Sequence, residues 1–142
     1  MNETCPFCTT AKQEGRILKD GQYAYVILSN PRLVAGHLLV IPKRHIEGKL
    51  QDLSKEEQDE ILGFLVEFQA KILEKLASGC EIRQNYKPFI ESSRTHVNHL
   101  HFHLYPREDK DEIYEKIDSN RDLIFKEISE EEKKRILHLL AD

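Results

Sequence analysis

At 142 residues, 39% hydrophobic and 32% charged, the chain is sized for a single domain spanning 1–142 that can bury roughly two thirds of its unfolded surface without disulfide staples. A formal net charge of -4 removes the basic surface that backbone-driven binding of polymeric nucleic acid requires, and no apolar run approaches the roughly 20 residues that span a bilayer. Three cysteines, an odd number, speak against an extracellular disulfide framework; with no signal-peptide apolar core in Met1 to Thr10, a cytoplasmic location is expected.

In chain order, Arg16–Leu18 and Gln22–Ser29 read as β-runs around Lys19-Asp20-Gly21, where Asp-Gly marks a hairpin turn. His37–Ile41 is the next strand, entered through Asn30-Pro31 and Gly36 and left through Pro42. Ser54, with Glu57 three residues on, starts a helix on which Ile61, Leu65, Phe68, Ile72 and Leu76 recur at spacings of three and four, and Gly79 is its expected stop. Glu81–Tyr86 reads as a short strand, Lys87–Asn98 as a loop around Pro88, and His99–Tyr105 as a strand closed by Pro106. The doubly charged stretch from Arg107 to Glu132 reads as solvated helix and loop without chemistry. A second Ser-x-x-Glu box at Ser129 starts a terminal helix carrying Ile136, Leu139 and Leu140. This order predicts an α+β domain, an antiparallel sheet of about five strands packed with a long helix and a C-terminal helix.

The segment His99-Leu100-His101-Phe102-His103-Leu104-Tyr105 carries three imidazoles at every second residue, which on a strand share one face. Each ring has a donor and an acceptor nitrogen that need partners when buried, so this is no ordinary apolar face. Imidazole binds metals, moves protons near neutral pH and attacks as a nucleophile; the bland alternative is a solvent-facing polar strand. Cys5-Pro6-Phe7-Cys8 offers two thiolates to one cation, which is half of a tetrahedral site; a redox pair or an inert terminus are the competing readings. Cys80, far from both motifs, reads as a plain thiol.

The histidine segment resembles the signature of the histidine triad (HIT) superfamily, His-φ-His-φ-His-φ-φ with φ apolar, at all seven positions. Gly36-His37-Leu38-Leu39-Val40-Ile41-Pro42-Lys43-Arg44-His45 is similar to that family's Gly-His strand followed by Pro-Lys-x-His, and Cys5-Pro6-Phe7-Cys8 to the Cys-x-x-Cys of its zinc-containing bacterial-type branch. The likeness covers Cys5 to about Arg107 and implies a HIT-like fold and attack of a histidine on a nucleotide α-phosphate.

By that resemblance His101 is the nucleophile, His103 contacts the phosphate or leaving oxygen, and His37 supports them. One structural zinc per chain would be held by Cys5, Cys8, His45 and His99, with no catalytic metal required. A Gln four residues before the first triad histidine contacts phosphate in many relatives; here Thr95 stands in that place, preceded by Arg94, so these two become the candidate phosphate donors. Ser29, with Asn30 beside it, stands where relatives place a ribose-binding Asp or Asn, and His96 reads as an exposed loop histidine rather than part of the site entrance. The expected function is a hydrolase of a small nucleoside phosphate derivative, such as a dinucleoside polyphosphate, phosphoramidate or adenylate. The alternatives are a catalytically weak nucleotide sensor of the same fold and a site in which the three histidines hold a catalytic metal. The resemblance also implies a homodimer.

Overall fold

A computed structural model of the chain describes residues 4–9 and 15–141; the ends of the Met1–Thr10 stretch lie outside them. Packing divides the chain into two compact units, one ending at Glu108 and one comprising residues 109–142. The first unit holds a five-stranded antiparallel sheet in the order β1-β2-β3-β5-β4, formed by Ile17–Asp20 (β1), Ala24–Leu28 (β2), Leu38–Pro42 (β3), Gly79–Gln84 (β4) and Phe102–Arg107 (β5). Between β3 and β4 runs one long helix, α1, at Lys55–Lys75.

Alternation along the strands sorts side chains onto two faces. Ala24, Val26, Leu38, Val40 and Leu104 meet Ile61, Phe64, Leu65, Phe68 and Ile72 of α1 in one apolar cluster. Tyr25, Ile27, Leu39 and Ile41 point the other way and are covered by Cys5, Phe7 and Cys8. Tyr25 fixes that cover, its hydroxyl donating to the Phe7 carbonyl at 2.8 Å.

α1 begins as its sequence dictates. Ser54 accepts from the Glu57 amide, and the Glu57 carboxylate accepts from the Ser54 amide. Glu57 is buried, and although burial alone would raise its pKa, bonds from Arg44 and Ser54 hold it below the ordinary carboxylate value. The same ion pair, Arg44 Nη2 to Glu57 Oε1 at 2.7 Å, anchors the segment that carries His45.

Several boundaries differ from the sequence reading: β1 runs Ile17–Asp20 instead of Arg16–Leu18, β2 Ala24–Leu28 instead of Gln22–Ser29, and β4 Gly79–Gln84 instead of Glu81–Tyr86. The helix closes at Leu76, where the Leu76 and Ala77 amides both donate to the Ile72 carbonyl, so Gly79 opens β4 instead of stopping α1, and Leu76 is exposed. β3 starts one residue late, at Leu38. β5 starts at Phe102, so His99 and His101 lie in the extended approach to the strand. That approach is held by the Leu100 amide bonding the Ile46 carbonyl at 2.6 Å, and the alternation continues through it: Leu100, Phe102 and Leu104 go to the helix cluster and the histidines to the other face.

In the second unit a π-helical turn over Tyr114–Asp118 runs into α2, Ser119–Asp122, and Ser129 caps α3, Glu130–Leu140. Leu139 and Leu140 are exposed there. Among the described residues no helix is long and apolar enough to cross a membrane.

Candidate active site and metal centre

His37 enters the site from a turn at Gly36, whose φ of 82° is a conformation that favours glycine. Its ring packs against His103 and Tyr105, and His103 stacks parallel on Tyr105, with an interplanar angle of 10° and centroids 5.3 Å apart. In the sheet His103 stands opposite Leu39 on one side and Arg83 on the other, and the Arg83 guanidinium lies 5.9 Å from the Tyr105 ring centroid.

Backbone groups assign the proton on each ring, because an amide can only donate and a carbonyl only accept. The Leu33 amide donates to His37 Nδ1 at 3.1 Å, so neutral His37 carries its proton on Nε2 and donates it to His103 Nδ1 at 2.9 Å. His103 therefore keeps its own proton on Nε2. His101 Nδ1 lies 2.6 Å from the His99 carbonyl, which fixes its proton there and leaves a lone pair on Nε2. Burial holds all three rings neutral. It pushes His37 down to about 4 and His103 to about 3, helped at His37 by His101 and at His103 by His101, His37 and Arg83. His101 is lowered by burial, opposed by its bond to the His99 carbonyl.

These rings line a cavity of about 340 Å³ together with Ser29, Asn30, Arg94 and Thr95, so all the candidate catalytic and nucleotide-binding side chains border one space. The Ser29 hydroxyl donates to the Pro31 carbonyl at 2.8 Å, whereas Asn30 is exposed. Arg94 and Thr95 sit at the tip of a tight loop closed by paired bonds between the Ser93 and His96 backbones. His96 is half-buried and lines a smaller neighbouring cavity with His101 and His103.

Several lining residues carry no signal in the sequence reading. Phe7 meets His101 edge-on at 5.3 Å, a contact implied by its place inside the Cys-x-x-Cys turn once that turn closes on His99. Arg16 and Arg32 reach the cavity only because the β1–β2 hairpin and the β2–β3 connection fold beside it, and Leu33 acts through its main chain.

On the same sheet face Cys5, Cys8, His45 and His99 converge, with one ligand atom from each within 4.8 Å of the others. Cys5 Sγ lies 3.3 Å and Cys8 Sγ 3.7 Å from His99 Nδ1; His45 Nδ1 lies 3.1 Å from Cys8 Sγ and 3.2 Å from His99 Nδ1. Bonds of about 2.3 Å to sulfur and 2.0–2.1 Å to nitrogen at tetrahedral angles would place such atoms roughly 3.3–3.8 Å apart, so the donor set fits zinc. His99 Nε2 lies 2.7 Å from the Pro42 carbonyl and so holds the ring proton, turning the Nδ1 lone pair to the cluster. Burial keeps His99 neutral, with a pKa near 4, and raises that of the Cys5 thiol against the opposing Phe7 amide. The four residues leave no ligand position to an outside group, the arrangement of a structural site.

Residues 10–110 match the family model described as the HIT domain. The adenosine 5′-monophosphoramidase of Saccharomyces cerevisiae is 30% identical over 115 residues, covering 78% of this chain; the chain spans 66% of that protein's length. A HIT family protein of Bacillus anthracis superposes with a TM-score of 0.72 at 19% identity, covering 99% of this chain and 97% of its own. A zinc-bound histidine triad family protein of Mycobacterium smegmatis superposes with a TM-score of 0.59 at 25% identity, over 77% of this chain and 78% of its own.

Proposed function

Because this chain belongs to the HIT domain family, we propose that it hydrolyses a small nucleoside phosphate derivative at the α-phosphate through a nucleotidyl-histidine intermediate. The observation that carries the proposal is the proton order of the buried rings: a lone pair on His101 Nε2 beside an N–H on His103 Nε2. His101 Nε2 attacks phosphorus in line with the leaving group, forming a P–N bond as the P–O or P–N bond to the leaving group breaks. His103 Nε2–H donates a hydrogen bond to the phosphate or to the departing atom and keeps its proton, the ring being aligned by the relay from the Leu33 amide through His37 to its Nδ1, while the departing atom takes its proton from solvent. Water then attacks phosphorus, the P–N bond to His101 Nε2 breaks, and the water proton passes to solvent as a nucleoside monophosphate is released. Arg94 and Thr95 contact the α-phosphate, and Ser29 and Asn30 contact the ribose. The yeast relative, named as an adenosine 5′-monophosphoramidase, places phosphoramidates first among the substrates to try.

Zinc in the Cys5, Cys8, His45 and His99 cluster would be a closed structural centre that pins the amino-terminal turn to the sheet. The three triad histidines are poorly arranged to share one catalytic ion, because His99 faces the cysteines while His101 Nδ1 and His103 Nδ1 are taken by hydrogen bonds. Reduced thiols at Cys5 and Cys8 suit a cytoplasmic location. On α1 and its C-terminal cap, Leu62, Val66, Leu73 and Leu76 form an exposed apolar stripe at spacings of four, seven and three, and this supports a homodimer, testable by light scattering.

The deciding experiment incubates the protein with adenosine 5′-phosphoramidate, diadenosine polyphosphates and aminoacyl adenylates, identifies products by chromatography, and looks for a nucleotide on His101 by mass spectrometry. Release of adenosine monophosphate with a trapped His101 adduct is expected. Tight nucleotide binding without product would favour the sensor reading, for which the Arg94-Thr95 loop gives room.

A further inference from the structure

Alternation along β5 carries the row of rings one step past the triad, so Tyr105 stands on the same face as His101 and His103. The triad signature asks only for an apolar residue at that position, and an aromatic one does more. The Tyr105 ring is parallel to His103, at 10° with centroids 5.3 Å apart, and lies 4.5 Å from His37 at an angle of 42°. His37 and His103 are in turn 5.1 Å from each other. The three rings form a closed triangle in which each packs on the other two. One side carries a hydrogen bond, from His37 Nε2 to His103 Nδ1 at 2.9 Å, and Tyr105 makes both of the others.

Tyr105 is itself held in place. It is buried, and across the β4–β5 ladder Glu81 stands opposite it and Arg83 opposite His103. The Arg83 guanidinium lies 5.9 Å from the Tyr105 ring centroid, within reach of a cation–π contact. Glu81 keeps it there, its Oε2 accepting from Arg83 Nη2 at 3.0 Å while its Oε1 accepts from Arg107 Nη1 at 3.3 Å. Burial raises the phenol pKa against the pull of Arg83, so the ring that His103 meets is neutral. Among the described residues the Tyr105 hydroxyl has no hydrogen-bond partner, which leaves the ring as the part that engages the histidines.

An imidazole needs such support because its second side-chain torsion is broad and roughly two-fold. The strand sets where His103 leaves the backbone but not the plane of its ring. A parallel stack fixes that plane and leaves two flips, and the bond from His37 Nε2 to Nδ1 selects one of them. The direction of the His103 Nε2–H depends on both. We propose that Tyr105 is a positioning residue of the reaction, its ring fixing the planes of His37 and His103 and so aiming the His103 Nε2–H at the bound phosphate. This rests on the hydrolase reading for the use made of that N–H and adds to it the residue that orients it.

The test compares the full chain with its Tyr105→Phe variant, which keeps the ring, and its Tyr105→Leu variant, which removes it. Nitrogen NMR of the labelled imidazoles at neutral pH reads the rings directly. In the parent and in Tyr105→Phe, His37 and His103 should each show one neutral tautomer protonated on Nε2, whereas in Tyr105→Leu His103 should show a mixture. With adenosine 5′-phosphoramidate as substrate, kcat should fall roughly 10- to 100-fold in Tyr105→Leu, the loss expected of a misaimed group, with KM within about threefold of the parent. Tyr105→Phe should keep kcat within about threefold of the parent. Thermal melts establish that each variant is folded, and Tyr105→Met, whose flexible side chain fills an irregular space, replaces Tyr105→Leu if that chain unfolds. A folded Tyr105→Leu chain with single tautomers or with parental kcat overturns the proposal. A Tyr105→Phe chain that loses as much as Tyr105→Leu also overturns it, because the effect then belongs to the hydroxyl. A parent that turns over no phosphoramidate, while the tautomers respond as expected, would sink the hydrolase reading and leave the ring platform established by the spectra.

Discussion

The two faces of the sheet are built from the same strands and put to opposite uses. Towards α1 every contributed side chain is apolar, from Ala24 and Val26 through Leu104, and the helix covers them with Ile61, Phe64, Phe68 and Ile72. On the other face a smaller apolar patch at Tyr25, Ile27, Leu39 and Ile41 gives way to His99, His101, His103 and Tyr105, and the cover is a turn through Cys5, Phe7 and Cys8 rather than a helix. A helix brings enough apolar area to close its own face. A four-residue turn does not, and its two cysteines meet His45 and His99 in a cluster that could hold a metal ion. Alternation within each strand lets packing and reactivity be tuned almost separately, since neighbouring residues in sequence never share a layer.

Four measurements test that division. Replacing His101 with alanine should reduce turnover by at least about a thousandfold, as loss of a nucleophile does, while leaving the melting temperature near that of the parent. Turnover close to the parental rate in a carefully purified variant would place the nucleophile elsewhere. Elemental analysis should find one zinc per chain in protein prepared without chelator, and chelation should lower the melting temperature well before it lowers the activity of still-folded protein. Protein free of zinc, or an immediate matching loss of activity, would make the cover on the histidine face self-sufficient or the metal catalytic. On the helix face Ile72→Ala should cost about 2–5 kcal/mol of stability in denaturant titrations, with kcat per folded molecule near the parental value. A large fall in kcat would mean that the faces are coupled.

The smallest effect concerns pH. His37 and His103 are neutral in the folded chain down to about 4 and 3 respectively, whereas in the unfolded chain they take up protons near 6.5. The unfolded state therefore binds more protons below 6.5, so stability should fall as pH drops from there towards 4. In His37→Asn that slope should be shallower. An unchanged slope would show that the acid sensitivity arises from other groups.

Much of this organisation is legible in the amino-acid sequence, for reasons that differ from element to element. α1 announces itself because a reciprocal Ser54–Glu57 cap and an apolar stripe are local features. The histidine face is legible because side-chain alternation survives even where ladder hydrogen bonds do not, so His99 and His101 take their expected side although β5 begins only at Phe102. The start of β5 itself depends on the Leu100–Ile46 bond across 54 positions of chain, which no local pattern encodes. For the same reason Arg16 and Arg32 look like ordinary surface charges in the sequence and become cavity residues only after the hairpin folds. The convergence of His45 and His99 on the cysteines followed from resemblance to the HIT superfamily, and the distances supply its geometric basis. The tautomers are invisible to the sequence because their partners are main-chain atoms of Leu33, Pro42 and His99.

That last point bears on how freely the site can vary. The proton order of the His37–His103 pair begins at the Leu33 amide, and an amide is supplied by nineteen of the twenty residue types. The Leu33 side chain can change without disturbing the direction in which that hydrogen-bond relay points, and proline alone, having no N–H, would cut it. The cavity-lining loop thus carries a proton order that is insulated from most substitutions in its own side chains, so the lining of the cavity and the alignment of its histidines can change on independent evolutionary schedules.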